Sequence, residues 1–142
     1  MIKHGQTLFD GIPPAQIMGI TVSKVWTNGL ELTAPFKENR NDKGTAFAGS
    51  IASILTLAGW GLLTLKLKEC GLHPDIMAVT STINYTRPAK QRLSAVAEIS
   101  DAELERICND LQATQRSRVR LSIVLRSGDT ECARATADYA LM

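Results

Sequence analysis

The feature that most constrains this chain is a stretch without charge from Thr45 to Leu65, which is 21 residues long. Nine of these residues are large and apolar, and the other 12 are Ala, Gly, Ser or Thr. A membrane-spanning helix has this length, and small residues also suit helix contacts in a bilayer. However, strand-like segments follow closely and need a shared core. We therefore predict a helix over roughly 47–69, ended by Gly71, that is buried nearly all round inside a domain and does not span a membrane.

Segments with the two-residue period of β-strands lie on both sides of this helix. Before it, Pro13 and Pro14 open a short helix over AQIMG, and GITVSKVW and LELTAPF form a hairpin about the turn signal TNG. After it come MAVTSTINYT and RLSAVAEIS, which we expect to pair with each other. The chain closes with RVRLSIVLR and a strand over 133–141, which form a second hairpin about the turn SGD.

A short amphipathic helix separates these last two pairs of strands. Ser100 and Glu103 form the S-x-x-E capping box, and apolar residues recur from Leu104 to Leu111 at helical spacing. An antiparallel sheet needs one face covered, and only the helix over 47–69 is apolar enough to cover it. The predicted class is therefore α+β, with an antiparallel sheet wrapped around one long central helix in a single domain over 1–142.

Composition excludes several classes of protein. A formal charge of +2 is too small to favour nucleic acid, and the basic segments lack interleaved aromatic residues. The three cysteines are odd in number and widely spaced, so they indicate neither a disulfide framework nor a metal site, and we expect them to fill the core. His4 and His73 are too isolated to predict a metal or a catalytic pair. The start of the chain lacks the apolar stretch of a signal peptide, so the expected compartment is the reducing cytoplasm.

The ten residues NDKGTAFAGS at 41–50 run straight into the apolar helix. Asparagine, aspartate and glycine are good turn and cap residues, so this segment can be read simply as a loop and a helix cap. It can also be read as the active site for a carbonyl compound. Both interpretations remain open at this point.

With this motif the chain resembles the hot-dog thioesterases, whose motif runs N-x-x-G-x-x-H-G-G. More closely, NDKGTAFAGSI followed by LTLAGWGLL is similar to the thioesterase domain that closes certain bacterial acetyltransferase-fusion proteins and also occurs alone. Malonyl-acyl-carrier-protein decarboxylases belong to the same group. The resemblance spans about residues 12–139. It implies a hot-dog fold, a homodimer or higher assembly with each site between subunits, and a site without a cofactor.

The resemblance also assigns roles to individual residues. Asn41 stands at the family's asparagine, which is implied to contact or polarise the thioester or its attacking water. Gly44 is the loop glycine, Phe47 stands where many relatives have histidine, and Ala48 and Gly49 stand at the Gly-Gly pair. The N–H groups of this pair are unpaired donors at a helix N-terminus, where they would stabilise a thioester oxygen that gains negative charge.

Small side chains in this motif, including Ser50, would let the substrate approach closely. Phosphates of coenzyme A, or an acidic acyl carrier protein, could bind the basic segment that contains Arg87 and Lys90. A solvated face of the sheet would also explain those charges. The expected partners are thus an acyl thioester of either carrier and further copies of the chain.

One departure from the family pattern bears on the reaction. Relatives place an Asp or Glu on the helix about nine residues after the histidine, and this chain has Thr56 there. Threonine cannot activate water at pH 7 as a carboxylate does. Hydrolysis therefore loses its usual base, whereas decarboxylation of a malonyl thioester needs only an oxyanion hole and correct orientation. Hydrolysis, decarboxylation and a non-catalytic acyl-carrier binding module all remain possible at this stage.

Overall fold

The computed structural model describes residues 2–142, with Lys3 and His4 described by their backbone alone. In this part of the chain the α-helices are α1 (Ile2–Thr7), α2 (Pro13–Ile17), α3 (Ala48–Glu69) and α4 (Asp101–Thr114). The strands are β1 (Thr21–Trp26), β2 (Gly29–Ala34), β3 (Ile76–Tyr85), β4 (Leu93–Glu98), β5 (Ser117–Ser127) and β6 (Thr130–Leu141). Sequence analysis predicted all of these elements except α1.

The six strands form one antiparallel sheet in the order β1-β2-β4-β5-β6-β3. Helix α3 packs against β2, β3, β4, β5 and β6, so the sheet curls around it. Alternate residues of β4 and β5 are buried beneath α3, among them Leu93, Ala95, Ile123 and Leu125. This arrangement confirms the predicted class: α+β, with a hot-dog fold built on one long central helix.

The predicted pairing of β3 with β4 is wrong. Strand β3 pairs with β6, from Ile76 opposite Leu141 to Tyr85 opposite Ala133, while β4 lies between β2 and β5. The segment after β3 does not turn back, because the Thr86 N–H donates to the Cys132 carbonyl of β6 at 2.8 Å. It crosses the end of the sheet instead. Pairing of sequence neighbours is a tendency, and here long-range contacts override it.

Helix α3 is less completely covered than predicted. Twelve of its 22 residues are buried, but a stripe at helical spacing is half-buried, formed by Ala52, Ser53, Thr56, Leu57 and Trp60. By length and composition α3 could cross a membrane, yet 56% of its most apolar window is buried inside the fold. It is the core helix of the sheet, with one side left accessible.

The glycines of the segment Gly59-Trp60-Gly61 let α3 approach its neighbours closely. A Cβ atom on Gly59 would lie 2.2 Å from the hydroxyl oxygen of Tyr139, and one on Gly61 would lie 2.9 Å from Cζ of Phe9. The Tyr139 hydroxyl donates to the Thr56 carbonyl at 2.8 Å, and its side chain is fully buried. Burial raises the pKa of Tyr139 above its ordinary value.

We predict that Gly59→Ala lowers the free energy of unfolding by about 1–3 kcal/mol, because the added methyl group overpacks a buried contact. Tyr139→Phe alone should cost about 1 kcal/mol, the usual value of one hydrogen bond. In the double variant the two losses should not add, since removing the hydroxyl relieves part of the clash. Denaturant unfolding of the four proteins measures this coupling. Strictly additive losses would contradict the proposed contact.

Candidate functional site

The N-terminus of α3 presents unpaired backbone donors. The N-cap residue is Phe47, whose carbonyl accepts the first helical hydrogen bond from the Ile51 N–H at 3.1 Å, and no side chain caps the helix. Among the described residues, no protein acceptor faces the N–H groups of Ala48, Gly49 and Ser50. These donors lie at the positive end of a 22-residue helix dipole. They can stabilise an oxygen that gains negative charge.

Two backbone hydrogen bonds fix this helix start within the fold. The Phe47 N–H donates to the Asn39 carbonyl at 2.7 Å, and the Ala46 N–H donates to the Ala89 carbonyl at 2.8 Å. A further bridge joins Arg40 to Ala46. The segment before α3 is therefore clamped between the 3-10 turn Lys37–Asn39 and the connection from β3 to β4.

The side chain of Asn41 holds the loop over 41–45. Its Oδ1 accepts from the N–H groups of Lys43 at 2.8 Å and Thr45 at 3.1 Å, and its Nδ2 donates to the Thr45 hydroxyl at 2.8 Å. Gly44 has a φ of +78°, which explains the glycine in this turn. The second Nδ2 hydrogen of Asn41 has no partner among the described residues. The structure therefore supports the loop of the first interpretation but not its helix cap, since no side chain caps α3.

A cleft of about 290 Å³ opens beside the start of α3. It is lined by Ala46, Ala48, Ile51, Tyr85, Thr86, Arg87, Pro88 and Ala89. Of the residues predicted from the sequence, Ala48 and Arg87 line it. Sequence analysis missed Tyr85, whose hydroxyl donates to the Ala48 carbonyl at 3.3 Å. The sequence signal that could have identified Tyr85 is its position at the end of a predicted strand, just before the break at Arg87 and Pro88.

The other predicted residues of the motif surround this cleft without lining it. The ring of Phe47 is 56% exposed and lies over Gly49, where an added Cβ atom would be 2.3 Å from Cε2 of the ring. Ser50 is buried in the first turn of α3. Lys90 is exposed next to the buried Ala89.

Thr56 lies at a second cavity. Its hydroxyl donates to the Ala52 carbonyl at 2.9 Å, which is the usual back-bond of a helical threonine. The cavity has a volume of about 320 Å³ and is lined by Ile12, Pro14, Met18, Ala52, Ser53, Thr56 and Leu57. It shares no lining residue with the cleft beside Ala48. A single chain therefore does not bring Thr56 to that cleft.

The basic residue at the outer rim of the cleft is Arg87. The pKa of the Glu131 carboxyl lies below its ordinary value, mainly because Arg134 donates to it, with smaller effects from the charges of Arg126 and Arg87. Arg87 is exposed and lines the cleft. The rim is thus a place where an anionic group can bind close to the helix N-terminus.

Metal-binding geometry is not found in the described part of the chain, where no three His, Cys, Asp or Glu side chains cluster. His73 is exposed. The side chain of His4 lies outside the described residues.

Comparison with known proteins adds the family. Residues 3–142 match the family described as "Putative thioesterase (yiiD_Cterm)". The chain belongs to this thioesterase family. The resemblance to this family is thereby confirmed, and membership in the family implies acyl thioesters as substrates.

Solved structures of similar proteins share the fold. A "putative thioesterase" from Shewanella oneidensis is 26% identical, with a TM-score of 0.90 over 99% of this chain and 96% of that chain. A protein of unknown function from Chlorobaculum tepidum TLS is 24% identical, with a TM-score of 0.92 over 99% and 93%. A thioesterase from Haemophilus influenzae shares the fold at 13% identity, with a TM-score of 0.77 over 100% and 90%.

We predict that Asn41→Ala lowers the free energy of unfolding by about 1–2 kcal/mol, because two backbone N–H groups and the Thr45 hydroxyl lose their partner. Asn41→Asp should be nearly neutral at pH 7, since a carboxylate can accept from the same two N–H groups and the Thr45 hydroxyl can turn to donate to it. Thermal unfolding of both variants measures the difference. Equal stability of the wild type and Asn41→Ala would show that the loop does not depend on this side chain.

Proposed function

We propose that this chain is an enzyme of acyl thioesters that removes carbon dioxide from a malonyl group carried on acyl carrier protein. One observation carries the proposal: the unpaired N–H groups at the start of α3 adjoin a cleft whose described lining contains no carboxylate. This is the arrangement expected for stabilising an enolate oxygen without a general base. Such a reaction would supply the acetyl thioester that begins fatty acid synthesis.

The chemistry balances without a cofactor. The electrons of the bond between the carboxylate carbon and the α-carbon move toward the thioester carbonyl, whose oxygen becomes an enolate. Carbon dioxide leaves, and the enolate then takes a proton to give the acetyl thioester. The N–H groups of Ala48 and Gly49 would hold the developing negative charge. One lost donor of this kind typically costs about 10²–10³ in rate.

The lining of the cleft suits the ground state as well. Ala46, Ile51, Pro88 and Ala89 supply apolar surface. A carboxylate held against such surface is poorly solvated, which favours its loss as neutral carbon dioxide. A fixed protein carboxylate at this place would repel the malonyl group. In the dimer proposed below, the Thr56 of a second chain would bring no such charge to the cleft.

Hydrolysis of the thioester is the second candidate, because the family is described as a thioesterase family. This reaction needs a group that activates water. The position at which relatives carry an acid holds Thr56, whose hydroxyl already donates to a backbone carbonyl. The described residues of the cleft offer no substitute base. A non-catalytic module that binds acyl carriers is the third candidate, and it differs from both enzymes by the absence of turnover.

We also propose a homodimer joined through β3. Within the described residues this strand pairs with β6 alone, so its second edge offers free N–H and C=O groups. Met77, Val79 and Tyr85 of this strand are each 45–50% exposed. Apolar exposure along an unpaired edge is typical of strand pairing between chains. Such a dimer would allow the cleft of one chain and the Thr56 cavity of another to form one site.

The carrier would bind at the basic rim. Arg87 at the cleft and the exposed Lys90 would bind the phosphate of a phosphopantetheine arm or the acidic surface of a carrier protein. Fatty acid synthesis of this kind would place the enzyme in the cytoplasm.

We expect the purified protein to convert malonyl-acyl carrier protein into acetyl-acyl carrier protein. Mass spectrometry of the carrier measures this conversion. Asn41→Ala should lower the rate by about 10²-fold, the scale of one lost oxyanion donor. Asn41→Asp should be as stable as the wild type but slow, because its charge repels the malonyl carboxylate. Acetyl-acyl carrier protein is the matched substrate without that carboxylate. Release of free thiol from both malonyl- and acetyl-acyl carrier protein would establish hydrolysis instead. Binding of the carrier without any product would favour the non-catalytic binding module.

Thr56→Asp tests the replaced acid directly, with Thr56→Ser as the control that keeps the hydroxyl. We expect Thr56→Asp to lose decarboxylation through charge repulsion and to gain some release of free thiol, since a carboxylate can activate water. Thr56→Ser should resemble the wild type. If Thr56→Asp leaves both product yields unchanged, position 56 does not face the substrate.

The dimer predicts a mass of two chains in sedimentation at micromolar concentration. Replacing both Met77 and Val79 by lysine should shift the protein toward the monomer and lower its activity, because charges on a strand edge oppose pairing. Ile17→Lys is the control, since Ile17 is 76% exposed but lies on α2. A wild-type protein that sediments as a monomer, or a lysine double variant that remains a dimer, would refute the β3 interface.

A further inference from the structure

The outer edge of β1 is occupied by groups from the two helices that precede it. The side-chain amide of Gln6, on α1, accepts from the Val22 N–H at 2.8 Å and donates to the Ile20 carbonyl at 3.3 Å. The Ile20 N–H donates to the Ala15 carbonyl of α2 at 3.0 Å. A glutamine side chain carries an acceptor and donors on one amide, so Gln6 binds this edge as the peptide groups of a neighbouring strand would.

The core holds these two helices in place. Phe9, between α1 and α2, is buried, and its ring lies edge-on to that of Trp60 on α3, with the ring centroids 5.8 Å apart. The side chain of Gln16 donates to the Phe9 carbonyl at 3.4 Å. A Cβ atom on Gly5 would lie 3.3 Å from Cγ1 of Val22, so α1 packs directly on β1. The segment over α1 and α2 is therefore anchored in the fold.

The rest of β1 has further features that oppose pairing with another strand. Its pairing with β2 is interrupted by a bulge between Val22 and Lys24, and Lys24 is exposed. Bulges and lysine side chains are common means of protecting a sheet edge. At the end of the strand, the Trp26 carbonyl accepts from Nζ of the buried Lys66 at 2.8 Å.

Strand β3, at the opposite edge of the sheet, differs from β1. It is ten residues long and carries no charged side chain. Met77 and Val79 are exposed on it, and among the described strands it pairs with β6 alone. One edge of the sheet is thus covered by helices and carries a lysine, while the other is uncharged and open.

We propose that α1 and α2 block the β1 edge, so that the sheet joins other copies of the chain at β3 alone and assembly stops at two chains. The count of two chains rests on the proposed β3 homodimer, while the block itself does not. The amide of Gln6 and the carbonyl of Ala15 take up the backbone groups through which the β1 of another copy would bind.

The block matters because of the symmetry of the proposed dimer. Each β3 edge is used by the other chain, so the two β1 strands form the ends of the joined sheet. A free edge at both ends would let dimers add to one another without closing, because every addition presents a new edge. Covering β1 ends this growth at the first pairing.

Hydrogen exchange of the Val22 amide tests the contact itself. In the native wild type this N–H should be protected, although it lies on an edge strand. Gln6→Ala should speed its exchange by about tenfold or more, because the acceptor is lost. Gln16→Ala is the matched control, since it removes a glutamine side chain from the Phe9 carbonyl and leaves the β1 edge bound. Equal exchange rates in the wild type and Gln6→Ala would overturn the proposal.

Sedimentation of the full-length protein tests the effect on assembly. Gly5→Leu combined with Gln6→Ala removes the amide and pushes α1 away from Val22. We expect this double variant to have about twice the mass of the wild type or more, rising with protein concentration. Dithiothreitol is present throughout, because the exposed thiol of Cys70 would otherwise link chains. The expectation that all cysteines fill the core is wrong for Cys70.

A lysine on the edge separates strand pairing from general aggregation. Thr21 is exposed at the start of β1. Adding Thr21→Lys to the double variant should return the mass to that of the wild type, because a charge on a strand edge opposes pairing. Growth that Thr21→Lys leaves unchanged would overturn the proposal.

Circular dichroism shows whether the double variant keeps the fold. A folded double variant with the mass of the wild type would also overturn the proposal. If the double variant does not fold, Gln6→Ala alone is the milder change, and it should show the same rise in mass at higher concentration. A monomeric wild type would refute the β3 dimer, whereas a rise in mass on opening the β1 edge would still support the block.

Discussion

The structure depends on burying one helix that carries no charge in its first 18 residues. Its small residues let strands approach within contact distance, as Gly59 does for Tyr139. Strands from both sides of α3 in the sequence cover it, because β2 precedes it and β4, β5 and β6 follow it. The sheet therefore curls, and the start of α3 emerges at its rim. The candidate site lies at that start, where the helix cannot satisfy its own first N–H groups.

Local sequence patterns predicted most of the helices and strands of the fold. Both hairpins, the capping box at Ser100 and the bounds of α3 followed from turn residues, period and caps, which act over a few residues. The position of β3 did not follow. Its place at the far edge depends on pairing with β6 about 50 residues later, and on Thr86 bonding to Cys132. Nothing in the sequence near β3 encodes that partner.

At the candidate site, too, the sequence predicted the local features and missed those that depend on contacts between distant segments. The motif at 41–50 predicted the helix start, its free amides and the family, since those depend on residue type in one short segment. Tyr85 was missed because it reaches Ala48 through the fold. The roles of Asn41, Ser50 and Thr56 stay predictions. For Asn41 the structure adds a second reason for the residue, because its amide holds the loop that positions the helix.

The strand order also affects how the chain is made. Among the described strands, β1 and β2 precede α3, so most of the strands that cover it are not yet synthesised when α3 leaves the ribosome. At about 5–20 residues per second, the segment over 70–142, which holds those strands, takes on the order of ten seconds to appear. During that interval an uncharged apolar segment stays unprotected in the nascent chain. Its glycines, serines and threonines lower the apolar surface exposed at this stage, so the composition that allows close packing in the native state also limits aggregation during biosynthesis.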